Sequence, residues 1–238
     1  MKKYVFVIGP PASGKSSLIA DALLSVQGTH ADDLAPFKEL CNILKSFKET
    51  KVITQSILHY WTELISEANV SDYPLSALHL LKTGGFTIDN PRLWDDALAK
   101  ICTHNRSTQT LFIEFSRGYD SQYCQLHGIA PHQVYLTTLQ VLFRKCVWLM
   151  DGSPHVVALD CDYDERVRRN SLRRAKGLHS VADQVMETIY RDSYLDPFIA
   201  DAVNIDVIGK LVCVPVTYIK THSDISSSKA KFREAIML

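Results

Sequence analysis

The sequence predicts an α/β fold, a parallel sheet covered by helices, and three observations carry that prediction. Short apolar runs alternate with longer helix-patterned segments along the chain. Two of those runs, Thr110–Glu114 and His155–Asp160, are apolar through their interiors rather than alternating, as strands buried on both faces are. The N-terminal run Tyr4-Val5-Phe6-Val7-Ile8 passes directly into Gly9-Pro10-Pro11-Ala12-Ser13-Gly14-Lys15-Ser16-Ser17 and then into the helical pattern Ser17–Leu24.

The spacing G-x-x-x-x-G-K-S from Gly9 to Ser16 is that of a phosphate-binding loop. Gly9 ends the strand in a turn that a side chain would obstruct, and Gly14 permits close approach of an anion. The backbone amides of Ala12, Ser13, Gly14, Lys15, Ser16 and Ser17 then wrap a polyphosphate at a helix N-terminus. Lys15 reaches the β- and γ-phosphates, and the Ser16 hydroxyl is placed to ligand Mg²⁺. These residues predict a bound nucleoside triphosphate with Mg²⁺.

Beyond the first helix, Gln27–Asp33 is polar and is expected as a loop. From Pro36 to about Cys102 the pattern is mainly helical, with Val52–Ala68 close to a 3.6-residue period. Lys82-Thr83-Gly84-Gly85-Phe86 reads as a flexible turn. Pro91 opens a helix over Arg92–His104, where its missing N–H costs nothing. After the two buried strands, helices are expected over Pro131–Leu149, Asp164–Arg174 and Val181–Tyr194, followed by a strand over Lys210–Tyr218. The segment 223–238, serine-rich at Ser226-Ser227-Ser228, is expected as a polar tail. About ninety residues separate the first helix from the Thr110 strand, more than a short crossover needs. This stretch, roughly 27–108, is read as a helical insertion over an acceptor. Its Asp32, Asp33, Tyr60, Trp61, Phe86, Asp89, Arg92 and Trp94 could sandwich a flat group or simply pack helices.

Two strands end in carboxylates. Glu114, followed by Phe115-Ser116-Arg117, can accept a proton from an attacking hydroxyl or hold Mg²⁺, while Arg117 neutralises an anion or clamps the acceptor. Asp160 competes for the Mg²⁺ role, since its strand is also an apolar run closed by an acid. The segment Asp164–Gly177 is rich in arginine, with Arg166, Arg169, Asn170 and Arg173 on one helical face. Arg169 and Arg173 suit a triphosphate undergoing transfer, because guanidinium groups bridge its oxygens in pairs. A solvated basic face or a polynucleotide contact would use the same residues.

The 238 residues, 46% hydrophobic and 22% charged, suit one domain with a sizeable core. A formal net charge of zero gives no argument for a general attraction to polyanions. Six scattered cysteines without a C-x-x-C pair argue against a zinc cluster or disulfide scaffold and predict reduced thiols. No apolar stretch approaches the length of a membrane span, and a cytoplasmic location is expected.

The N-terminal phosphate loop, the strand end Glu114-Phe115-Ser116-Arg117 and the R-x-x-R segment resemble the nucleoside and nucleotide kinases of the P-loop superfamily. The resemblance covers roughly residues 1–26 and 107–195. Deoxynucleoside kinases end the corresponding strand in Glu-Arg-Ser, whereas here the order is Glu114 then Ser116-Arg117. The resemblance implies a three-layer P-loop NTPase fold over residues 1–222 with a parallel five-stranded sheet, and an arginine-rich lid at about 163–178. It also implies transfer of the γ-phosphoryl group of ATP to a small acceptor. The expected catalytic set is Lys15, Glu114, Arg117, Arg169 and Arg173, with Ser16, Glu114 and Asp160 toward the metal. A nucleoside-like molecule is the favoured acceptor, ahead of a non-nucleotide hydroxyl or a modified base in DNA, and a homodimer is compatible with this reading. A regulatory ATPase is the competing class, against which the absence of a base-reading N-K-x-D counts.

Overall fold

A computed structural model describes residues 2–33, 78–80, 86–88, 92–106, 108–178, 180–222 and 226–237. Its strands are β1 (Lys3–Ile8), β2 (Thr29–Asp32), β3 (Leu78–Leu80), β4 (Phe86–Ile88), β5 (Thr110–Phe115), β6 (Ser153–Cys161), β7 (Ala202–Val207) and β8 (Lys210–Thr221). Its helices, renumbered in chain order, are α1 (Lys15–Ala22), α2 (Arg92–His104), α3 (Ser121–His127), α4 (Val134–Lys145), α5 (Tyr163–Ala175), α6 (Asp183–Thr188) and α7 (Ser226–Met237). The principal sheet has six strands in the order β2-β5-β1-β6-β8-β7. β2, β5, β1, β6 and β8 run parallel, and β7 pairs antiparallel with β8.

The result is a mixed α/β fold with a mostly parallel sheet, and the expected five strands become six. The additional strand closes an edge through a tight turn at Ile208 and Gly209, both with positive φ. Asp206 Oδ1 accepts from the Gly209 amide at 2.8 Å. Period-two burial of Val203, Ile205 and Val207 marks β7 as a strand solvated on one face.

The pleat sorts the sheet's side chains into two cores. Tyr4, Phe6, Ile8, Leu111, Ile113, Phe115, Val156 and Ala158 pack against α2, α3 and α4. Val5, Val7, Phe112, Val157 and Leu159 pack against α1 and α7. The segment 223–238 is therefore no polar tail throughout. Phe232, Ala235 and Ile236 are buried on one side of α7, and Lys229 and Arg233 pair with Asp21 of α1.

Three further expectations are corrected. Gln27–Asp33 carries β2, a short edge strand whose polarity reflects a single deeply buried apolar residue, Ala31. The helix expected over 131–149 is α4 flanked by 3-10 turns at Pro131–Gln133 and Val147–Asp151, and that over 181–194 shortens to α6. The mainly helical reading of 36–102 is interrupted by the antiparallel pair β3–β4. The expected helix 52–68 lies outside the described residues. Cys102, Cys124, Cys146 and Cys161 are buried free thiols and Cys213 is an exposed one. No helix among the described residues is long and apolar enough to cross a membrane.

Candidate functional site

Crevices in open parallel sheets form at the carboxyl ends of strands where the connections diverge. Here that point is the end of β1, which lies between β5 and β6. The loop leaving β1 is held in an unusual backbone path. Gly9 has φ 150°, Ala12 63° and Gly14 103°. A Cβ on Gly9 would stand 2.3 Å from the Leu159 carbonyl oxygen of β6, so only glycine fits. Gly14 caps α1 without any side chain, which leaves the helix's first amides facing the loop.

The loop's carbonyls are taken up from outside. Lys15 Nζ donates to Gly9 O at 2.9 Å, to Pro10 O at 3.0 Å and to Ser116 Oγ at 2.7 Å. Arg169 donates to Ala12 O at 3.2 Å, and Thr221 Oγ1 to Ser13 O at 2.9 Å. With these acceptors engaged, the loop's remaining backbone donors suit an anion. Ser13 Oγ, buried beneath Gly9, has no hydrogen-bond partner among the described residues. Burial pushes the Lys15 ammonium below its usual range, against the opposing pull of Glu114, Asp33 and Asp32.

Lys15, Ser16, Asp32, Glu114, Ser116 and Arg173 line one cleft together with Pro11, Ala12 and Gly14. Ser16 Oγ donates to Glu114 Oε1 at 2.9 Å. His30 Nε2 lies 2.8 Å from Glu114 Oε2, within ion-pair reach but not aligned as a hydrogen bond. Asp32 stands opposite Glu114 in the β2–β5 register. Ser17, in the first turn of α1, is exposed.

Pleat parity separates the two strand-end carboxylates. Glu114 shares the face of Phe112, toward α1 and the loop. Asp160 shares the face of Val156 and Ala158, toward the opposite helical layer. Its oxygens accept from Tyr218 Oη at 2.6 Å and from the Cys161 amide at 2.9 Å. The structure thus brings Glu114, and not Asp160, to Ser16.

Arg117 is placed differently from an acceptor clamp. It is 7% exposed, and its guanidinium binds Asp33 at 2.7 Å, Asp95 at 3.3 Å, Thr138 at 3.1 Å and the Ser116 carbonyl at 2.9 Å. Tyr123 Oη completes the cluster through Asp95 at 2.9 Å. Tyr123 is delivered by α3, whose first turn is capped by the Asp120 carboxylate. Burial pushes Asp33 up to about 6, with Arg117 pulling the other way. Burial raises Asp95 as well.

The arginines of α5 divide by role. Arg166, 2% exposed, donates to the carbonyls of Cys161, Tyr190 and Arg191 and anchors the helix. Asn170 exchanges two hydrogen bonds with the backbone of Val181. Arg169 reaches the Ala12 and His222 carbonyls and pairs with Glu165. Arg173 is the arginine of α5 that lines the cleft, beside Asn170. His30, Ser116, Asp95, Tyr123, Thr138 and Thr221 join the site without a signal in the sequence. For Asp32 and Asp33 the signal is the adjacency of two acids in a short polar stretch.

No family model matches the sequence, and no curated protein matches it. Among solved structures, the crystal structure of a "putative kinase" from Chloroflexus aurantiacus J-10-fl aligns over 99% of this chain and 96% of its own. The identity is 13% and the TM-score 0.47. That degree of likeness carries no conclusion about activity.

Proposed function

We propose that this protein is an ATP-dependent P-loop kinase that transfers the γ-phosphoryl group to a small, nucleoside-like acceptor. The observation that carries the reading is the Ser16–Glu114 hydrogen bond beside Lys15, at the mouth of a glycine-bounded loop whose carbonyls are engaged by Lys15, Arg169 and Thr221. Loop amides and Lys15 bind the β- and γ-phosphates. The hard oxygen donors of Ser16 and Glu114 suit Mg²⁺, a cation that keeps several waters and needs few protein ligands. Those two residues would hold it, and bound Mg²⁺ neutralises charge on the phosphates.

The bond from Ser16 sets Glu114 on the metal side. Asp32, a second carboxylate among the described residues of the cleft, takes the acceptor's proton. Arg173 offsets charge on the transferred group from the far wall. Arg169 acts on the loop's shape, and Arg117 keeps the end of β5 in place.

The test is ATP consumption across a panel of nucleosides, nucleotides and other hydroxyl compounds, with Lys15→Ala as control. Acceptor-dependent turnover that vanishes in a folded Lys15→Ala protein is expected. Acceptor-independent hydrolysis would point to the regulatory ATPase class, and full turnover by Lys15→Ala would overturn the proposal.

A further inference from the structure

Lys15 and Glu114 share the cleft as opposite charges, yet they are not bonded to each other. Lys15 directs its protons to Gly9 O, Pro10 O and Ser116 Oγ. Glu114 is held at Oε1 by Ser16 and faces His30 at Oε2. A direct ion pair between them would be costly to any anion-binding role. It would cancel the Lys15 ammonium at the loop and hold it inside a site that excludes much of the water.

We propose that His30 is a positioning residue that keeps Glu114 from capturing Lys15. The inference rests on the reading of the loop as a nucleotide site. His30 occupies the α1 face of β2, two residues before Asp32, on the same side of the pleat as Glu114. Its side chain is 25% exposed and that of Glu114 10%. Apart from each other, His30 Nε2 and Glu114 Oε2 have no polar partner among the described residues. Each atom is therefore the other's means of satisfaction, and a small ring rotation in the Nε2–H tautomer completes a hydrogen bond. Remove the imidazole and Oε2 is left buried without a partner. The nearest gain for that carboxylate is rotation toward Lys15, whose Coulombic pull on it is already present.

ADP binding measured calorimetrically in excess chelator tests this without metal or turnover. The comparison uses wild type, His30→Phe, His30→Gln, Glu114→Gln and the double variant His30→Phe/Glu114→Gln, each checked for a cooperative unfolding transition. The proposal expects His30→Phe to weaken ADP at least fivefold and His30→Gln, which keeps a donor, to stay within twofold. It also expects the double variant to return to the affinity of Glu114→Gln, since no carboxylate remains to capture Lys15. Equal affinity in wild type and His30→Phe overturns the proposal, as does a loss that Glu114→Gln fails to relieve. Failure of wild type itself to bind ADP overturns the nucleotide-site reading and this proposal together.

Discussion

Arg117 and Asp33 meet at 2.7 Å in a site from which water is nearly excluded, and a second carboxylate, Asp95, shares the same guanidinium. Two acids on one base leave a buried excess of negative charge once both ionise. The Tyr123 hydroxyl offsets part of it by donating to Asp95, while Thr138 accepts from Arg117. Burial works against the charge of Arg117, but Asp33 and Asp95 outweigh it and hold the guanidinium firmly protonated.

Removing that guanidinium strands both acids. Arg117→Met is expected to cost about 3–5 kcal/mol of unfolding free energy, the range for breaking a buried pair from one side. Urea denaturation at neutral pH measures it, and a loss under about 1 kcal/mol would show that the cluster tolerates its own disruption. Replacing Asp95 by Asn in the Arg117→Met background should recover part of the loss.

Asp33 gives the cluster a pH signature. Its folded-state pKa, about 6, lies above the ordinary carboxylate value of 3.8. Between those values the folded state holds the proton more tightly than the unfolded chain. The contribution is therefore complete below about pH 4 and lost as pH rises through 6, on the order of 2–3 kcal/mol. Stability of the wild type minus that of Asp33→Asn should decline across pH 4 to 6.5. A flat difference would place the Asp33 proton elsewhere.

The two strand-end acids should separate in kinetics. Glu114→Gln is expected to lower kcat by about 10²–10⁴. Asp160→Asn, on the opposite face of the sheet with Tyr218, should leave kcat and nucleotide affinity within a few-fold of wild type. Steady-state assays of the two variants decide the matter, and the reverse pattern would move the metal-side role to β6.

Arginines two turns apart on one face of α5 should also differ. Arg166→Ala removes donors from three carbonyls, that of Cys161 buried and those of Tyr190 and Arg191 partly so, and is expected to lower stability by about 2–4 kcal/mol. Arg173→Ala should leave the unfolding transition within about 0.5 kcal/mol and reduce kcat at least tenfold. If both variants lose stability alike, Arg173 belongs to the helix anchor rather than the cleft.

The elements legible in the sequence are those whose burial is two-sided or whose geometry is local. β1, the phosphate loop, α1, β5 and β6 announce themselves through uninterrupted apolar runs and glycine spacing. Arg92–His104 does so through Pro91 and helical periodicity. β2 was hidden because an edge strand with one deeply buried residue looks like a polar loop. α7 was hidden because serine and lysine fill its exposed face, although Ser228, Phe232 and Ala235–Ile236 keep the three-to-four spacing of a buried stripe. In the site, the loop residues and Glu114 were readable from order alone. The Arg117 cluster was not, because Asp33, Asp95, Tyr123 and Thr138 come from four separate elements and meet only when the chain is folded. Which acid faced Ser16 depended on pleat parity, a property of register that composition does not carry.

β2 is four residues long, and among the described residues β5 is its strand neighbour in the sheet. Yet this strand and the residue after it deliver His30, Asp32 and Asp33. Parting β2 from β5 would withdraw the imidazole beside Glu114, a carboxylate of the cleft and the partner of Arg117 in one movement. Three charged positions of the site thus hang on a pairing of four residues, where each other pairing of the six-stranded sheet has six.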